Sequence, residues 1–354
     1  MMKKVFLLFF FIFSLCQWTI STAKSIDKII FFGDSLSDNG NLYQSFFKII
    51  PKSPPYFQGR FSNGPTWAEL VGNYYYHQQY IDYHIYAVGG ATAILHAPAS
   101  NFIAPTNLML EVNQYFLDST FQNKSNTLYV IWIGANDYLF DKKTDPKKLT
   151  KAVIDQISWA VTTLIARGAN HFLLLNLPDL SYIPFAKQNN IVERLSVLSQ
   201  LHNQQFKDMI VKIKTSYPKI NLTSIDVYHI FNEVINNPDP YNKKYHIHIT
   251  DVTTSCWEGK IYIDAPSMSP SLNEMIQNNV MNQYGHSAQD NRVSQFLASS
   301  PSLQTTYQTM RWYDQGIVPC SNADEHLFWD PMHPTRIVHQ VLAEIAIERL
   351  TKDL

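Results

Sequence analysis

Short apolar runs alternate along this chain with longer stretches whose apolar residues recur at helical spacing. The runs at 28–32, 84–88, 128–133, 171–176 and 222–227 are brief, nearly continuous in apolar character and bounded by turn residues, so they read as buried strands. Stretches 146–167 and 191–215 read as helices between them. Strands alternating with crossover helices predict a mostly parallel sheet covered on both faces. Ligands in such sheets gather at the carboxyl edge of the strands. The tail 333–350 opens with Pro334 and Thr335 and places Val338, Val341, Leu342 and Ile345 on one side, which predicts a closing amphipathic helix. The tyrosine-rich stretch 73–86 reads as a strand with its packing neighbours. One region has no clear period: 257–319 is rich in Ser, Gln and Asn, and reads as an insertion between the last strand and the final helix.

The first residues follow a different pattern. Lys3 and Lys4 precede an apolar run from Val5 to Cys16, and a polar stretch then ends at Ser21-Thr22-Ala23. This is the pattern of a secretory signal peptide cut after Ala23, leaving 24–354 as a single domain. About twelve apolar residues fall short of the roughly 20 that a spanning helix needs. Leu15 is too large for Cys16 to be a lipoprotein acylation site. The expected product is an exported, soluble protein, secreted or periplasmic.

Composition adds little beyond this. The 354 residues are 45% hydrophobic and 16% charged, with a formal net charge of −1 and no basic stripe, so nothing points to a nucleic-acid partner. Removing the leader leaves Cys256 and Cys320, an even pair that an exported chain is expected to bridge. On the chain-entropy model that bridge contributes on the order of 4 kcal/mol at most. The His246 and His248 pair lacks a third ligand and reads as structural.

The chemistry lies in four blocks. Attack of a hydroxyl on a carbonyl needs a nucleophile, a base, a group fixing the base, and donors for the oxyanion. The segment KIIFFGDSLSDNGN ends a strand by presenting Ser35 on a strand-to-helix turn. It is not a G-x-S-x-G elbow, because Ser37 stands two residues after Ser35. Asp38 and Asn39 are expected to cap the helix that follows. In YAVGGATA, the adjacent glycines allow close backbone approach or a tight turn. In IWIGANDY, the Asn136 amide could serve an oxyanion or cap a helix. In LFWDPMHPT, Asp330 stands three residues before His333, where it could accept a hydrogen bond from the imidazole and set its tautomer.

Taken together, GDSLSDNGN, AVGGA, GAND and DPMHPT resemble the four ordered motifs of the GDSL family of SGNH-type esterases and lipases, over essentially all of the mature chain. The resemblance implies an α/β fold, a flavodoxin-like three-layer sandwich with a mostly parallel five-stranded sheet. It implies Ser35 as nucleophile, His333 as base and Asp330 as the group orienting His333. The Ser35 and Gly89 backbone N–H groups and the Asn136 side chain would hold the oxyanion. An acyl-enzyme on Ser35 would be released by water or another alcohol, with no metal or organic cofactor.

The phrases FNEVINNPDPY, VTTSCW and CSNADEHLFWDPMHPT look most like the secreted bacterial branch of phospholipases A, lysophospholipases A and glycerophospholipid:cholesterol acyltransferases. That likeness implies a lipid substrate at a membrane or micelle surface. In several members of that branch a cysteine-bounded segment restrains activity until it is clipped, so an activating protease is an expected partner acting on 257–319. An ordered decoration without regulatory effect is the alternative. The rival activities are a deacetylase of exported carbohydrate, or another short-chain esterase, using the same residues. A non-catalytic surface-binding protein is the rival of another class.

Overall fold

The computed structural model describes residues 26–46, 48, 50–95, 106–257, 313 and 316–353. The expected leader and most of the expected insertion lie outside the described residues. In chain order the elements are β1 (Lys28–Gly33), α1 (Asn41–Ser45), α2 (Trp67–Gln79), β2 (Asp82–Ile85), α3 (Leu108–Asp118) and β3 (Thr127–Trp132). They continue with α4 (Ala135–Leu139), α5 (Pro146–Ala166), β4 (His171–Leu175), α6 (Pro184–Gln188), α7 (Val192–Ser216) and β5 (Asn221–Ile225). Then follow α8 (Val227–Asn236), α9 (Asp239–Tyr245), β6 (Asp251–Ser255), β7 (His326–Phe328) and α10 (Arg336–Asp353).

The main sheet has five strands in the order β2-β1-β3-β4-β5, and every pair is parallel. The central strand β3 and its neighbour β1 are covered on both faces, with Ile29, Ile30, Phe31 and Phe32 of β1 and all of β3 buried. Such strands need helices above and below them. On one face α3 packs on α5 and α5 on α7; on the other α2 packs on α10. This is the division that right-handed crossovers impose on this strand order. The expected doubly covered α/β sheet is therefore present.

Polar residues set the helix boundaries. Asp145 caps α5 by accepting from the Lys148 N–H, with Pro146 in the first turn, and Asn107 caps α3 through the Leu110 N–H. Thr66 and Glu69 form a reciprocal capping box at the start of α2.

The structure departs from the sequence pattern in two places. Only the end of stretch 73–86 is strand: its first half, 73–79, is the second half of α2, in which Trp67, Val71 and Tyr75, spaced by four, are buried on one face while Tyr74 and Tyr76 are exposed. Helical burial of that stripe outweighs the β preference of the tyrosines. Tyr80, with φ of 57°, then ends the helix and releases a short β2 at 82–85. Beyond Ile85 the chain still tracks β1, with Tyr86 N–H donating to the Phe31 carbonyl at 2.8 Å. The second departure is a small separate sheet in which β6 pairs in parallel with β7. The Cys256–Cys320 disulfide lies at its end.

The register of β1 on β3 sets Gly33 level with Trp132, so the segments leaving both strands emerge at one edge. The chain leaving β2 joins them, since the Val88 N–H donates to the Gly33 carbonyl at 3.2 Å. Three of the four chemistry-bearing blocks thus meet at the carboxyl rim, and the turn between β7 and α10 brings the fourth.

Candidate active site

Beyond Gly33 the chain turns sharply, with the Ser37 and Asp38 N–H groups both donating to the Asp34 carbonyl at 3.0 Å. The turn lifts Ser35 from the rim of the sheet. On the opposite side, Asp330 Oδ1 accepts the Met332 and His333 N–H groups, each at 2.8 Å. The Trp329 N–H closes the same turn on the His333 carbonyl at 2.8 Å. Inside it, His333 Nδ1 lies 2.9 Å from Asp330 Oδ1 and 2.8 Å from Oδ2. His333 Nε2 lies 2.9 Å from Ser35 Oγ, although the two residues are 298 positions apart. With Nδ1–H donated to the carboxylate, Nε2 offers its lone pair to the serine hydroxyl. All three residues are buried, Asp330 completely. Burial would raise the Asp330 pKa, but the adjacent His333 and the hydrogen bonds it receives hold it below the ordinary carboxylate value.

Two further groups shape this arrangement and carry no motif. The buried Tyr56 donates its hydroxyl to Asp330 Oδ2 at 2.7 Å. The Phe61 ring lies 5.0 Å from the His333 imidazole, centroid to centroid. Both belong to the irregular segment between α1 and α2. Nothing in the local sequence shows that these aromatics face residues some 270 positions later.

The three other blocks contribute unequally. Asn136 is in the first turn of α4, and its Nδ2 donates to the Ala91 carbonyl at 2.9 Å, which leaves the second amide hydrogen for another acceptor. The Ser35 N–H has no hydrogen bond among the described residues. The Gly89 N–H, expected at the oxyanion, instead donates to Asp38 Oδ2 at 2.7 Å. Its neighbour Gly90 has no acceptor among the described residues and adopts φ of 78°, a conformation glycine tolerates. The paired glycines therefore have different causes: a Cβ on Gly89 would lie 2.3 Å from the Phe61 ring, while Gly90 needs the left-handed backbone.

Behind the rim lies a set of buried acids. Asp38 accepts N–H bonds from Gly40, Asn41, Leu42 and Gly89, so it holds the start of α1 and also ties down the glycine loop. Asn39, expected to share the capping, instead has a buried Oδ1 without a hydrogen-bond partner among the described residues. Asp137 accepts from Ala93 and Ile94, and Glu111 from Gly33. Burial pushes Asp34 and Asp137 up to about 7 and Asp38 up to about 6. It raises Glu111 well above its ordinary value as well.

A narrow cavity of about 100 Å³ opens beside Ser35 and His333. Its walls include Leu180, Phe231 and Val234 on one side and Val338, Leu342 and Ile345 on the other. Phe231 and Val234 belong to α8 and Val338, Leu342 and Ile345 to α10, so apolar residues of both helices line the cavity. Among the described residues, no three His, Cys, Asp or Glu side chains are grouped to hold a metal ion, and no helix is long and apolar enough to cross a membrane.

A hydroxyl, an imidazole and a carboxylate in series beside free amide donors form the constellation of serine-dependent acyl transfer. Comparison with known proteins agrees with that class. The family model of the GDSL-like lipases/acylhydrolases matches residues 29–346, and the chain belongs to this family of carboxylic ester hydrolases. It is similar to the phosphatidylcholine-sterol acyltransferase of Aeromonas hydrophila, with 30% identity over 98% of this chain and 96% of that one. The Secreted effector protein SseJ of Salmonella typhimurium is 26% identical over 63% of this chain, which spans about half (54%) of its length. The thermolabile hemolysin of Vibrio parahaemolyticus is 24% identical over 91% of this chain and 63% of its own.

Proposed function

We propose that the chain is an exported acyl hydrolase that cleaves acyl esters of phospholipids or lysophospholipids through an acyl-enzyme on Ser35. The observation that carries this reading is the 2.9 Å contact between Ser35 Oγ and His333 Nε2 at the mouth of an apolar cavity. His333 takes the hydroxyl proton as Ser35 Oγ bonds to the ester carbon, and Asp330 stabilises the imidazolium that forms. The carbonyl oxygen, now an oxyanion, is received by the Ser35 N–H, the Gly90 N–H and the free Asn136 amide hydrogen. Gly90 takes this role in place of Gly89 because Asp38 already holds the Gly89 N–H. Collapse of the intermediate passes the proton from His333 to the departing alkoxide. A water then repeats the sequence and frees the fatty acid.

An apolar channel suits a fatty chain and gives an acetyl group on a sugar little to bind, which favours lipid over carbohydrate esters. Likeness to an acyltransferase supports transfer to an alcohol acceptor, a sterol, in competition with water. Export is supported by the Lys3–Ala23 pattern and by a relative described as secreted.

The test is product analysis on the chain beginning at residue 24, with lysophosphatidylcholine, phosphatidylcholine with and without cholesterol, and acetylated xylan. Free fatty acid from the lipids is expected, with cholesteryl ester where the sterol is present. Ser35→Ala should lower the rate by about 10⁴-fold or more. Release of acetate alone, or lipid cleavage that survives Ser35→Ala, would overturn the reading.

A further inference from the structure

The donors to Asp330 fall into two kinds. The Met332 and His333 N–H groups and His333 Nδ1 all belong to the turn that carries the carboxylate itself. Tyr56 alone, among the described residues, reaches Asp330 from a distant part of the chain, 274 positions away. Local donors move with their turn. A donor anchored elsewhere fixes the turn, and with it the plane of the carboxylate, to the body of the protein.

The anchor behind Tyr56 is substantial. Its ring meets Trp257 edge-on at 5.5 Å and Phe61 at 5.8 Å. Tyr56, Cys256, Trp257 and Trp329 form a buried cluster of their own, apart from the main core. Trp257 is held by its N–H to the Trp329 carbonyl at 2.9 Å, and the Cys320 N–H donates to the Cys256 carbonyl at 2.9 Å across the disulfide. A phenol hydroxyl on a rigid ring, aimed at a carboxylate oxygen in a dry site, makes a charge-assisted bond that costs little ordering.

We propose that Tyr56 is a positioning residue for the reaction: it fixes the Asp330 carboxylate and so the orientation of the His333 imidazole, and Trp257 holds it in place. This rests on the reading of Asp330 as the group that orients His333. The hydroxyl also spreads part of the carboxylate charge. Without it the Asp330 carboxylate is free to rotate, so the imidazole is aimed less well at Ser35 and proton transfer should be slower. The imidazolium, held more tightly, should also give its proton to the leaving alkoxide less readily.

Tyr56→Phe keeps the ring in the cluster and removes only the oxygen. On lysophosphatidylcholine, kcat should fall about tenfold, the equivalent of one charge-assisted hydrogen bond, with KM within twofold of the parent value. The acidic limb of the kcat/KM profile should move up by roughly half a pH unit. Among the described residues, Asp34 and His339 also interact electrostatically with His333, and the substitution leaves both in place. Trp257→Phe should lower kcat in the parent chain and have no further effect in Tyr56→Phe, because the two act through one contact. Tm of Tyr56→Phe, measured alongside, should stay within a few degrees of the parent. An unchanged kcat with an unmoved acidic limb would overturn the inference, as would a change in Tm alone. A Ser35→Ala protein that still turned over lipid would instead overturn the underlying reading of the site.

Discussion

Two groups of carboxylates flank Ser35, and they are equally buried but oppositely perturbed. Asp330 is 0% exposed and its pKa lies below the ordinary value, whereas Asp38, also 0% exposed, is pushed up to about 6. The count of hydrogen bonds does not separate them, since Asp38 accepts four backbone N–H groups. What separates them is the kind of partner. Asp330 faces an imidazole that can carry a full positive charge, together with a phenol hydroxyl. Asp38 meets only neutral amides, and desolvation by burial raises it despite them. Neutral donors soften the desolvation of a carboxylate but do not cancel it. Burial alone thus says little about the charge state of an acid at this rim.

The largest effect should come from removing the charge on the ionised side. Asp330→Asn keeps the shape of the turn but offers an amide where the imidazole needs an anion, and it favours the wrong tautomer of His333. A fall of about 10³- to 10⁴-fold in kcat is expected, with little change in KM. Steady-state kinetics on lysophosphatidylcholine decide the point, and a loss under tenfold would show that Asp330 does not do the work assigned to it.

On the other side the carboxylate holds backbone, not a base. Asp38 joins the start of α1 to the Gly89 N–H, so the Gly90 N–H is oriented by what Asp38 grips. Asp38→Asn has one oxygen left to accept and brings an amide that repels neighbouring N–H groups. We expect kcat to drop about 10- to 100-fold, within the range of losing one oxyanion donor. KM for a short p-nitrophenyl ester should stay within threefold. An equal fall in kcat and in thermal stability across all substrates would mean the loop has simply come apart.

Much of this site was legible before any coordinates. The D-x-x-H spacing places Asp330 and His333 on one turn because the contact is local, and Ser35 follows a strand whose apolar run is unmistakable. Ordered motifs did the rest, since they mark segments that the parallel sheet delivers to a single edge. Contacts without local cause stayed hidden. Tyr56 and Phe61 sit in an irregular segment and matter only for what they face across the fold. The choice between Gly89 and Gly90 depends on which N–H Asp38 captures, and two adjacent glycines look alike until that bond is placed. Stretch 73–86 misled because its tyrosines favour strands one by one, while the four-residue stripe from Trp67 to Tyr75 begins outside the stretch.

The smallest effect, and the sharpest contrast of sign, concerns stability against pH. Asp137 has a folded pKa of about 7 against an ordinary 3.8, so its stabilising contribution is complete below about pH 4 and is lost as pH rises through 7. Asp330, with its pKa lowered, contributes in the opposite sense: its share is present above 3.8 and is lost as pH falls through its folded value. Asp137→Asn can still accept the Ala93 N–H through its amide oxygen, at the cost of the Ile94 bond, and it no longer ionises. Tm should therefore decline less between pH 5 and pH 8 in Asp137→Asn than in the parent chain, by a few degrees. Calorimetric scans at those two pH values in matched ionic strength measure the difference. A parallel decline in both proteins would mean that folding does not hold back the ionisation of Asp137 over this range, and the contrast with Asp330 would fail.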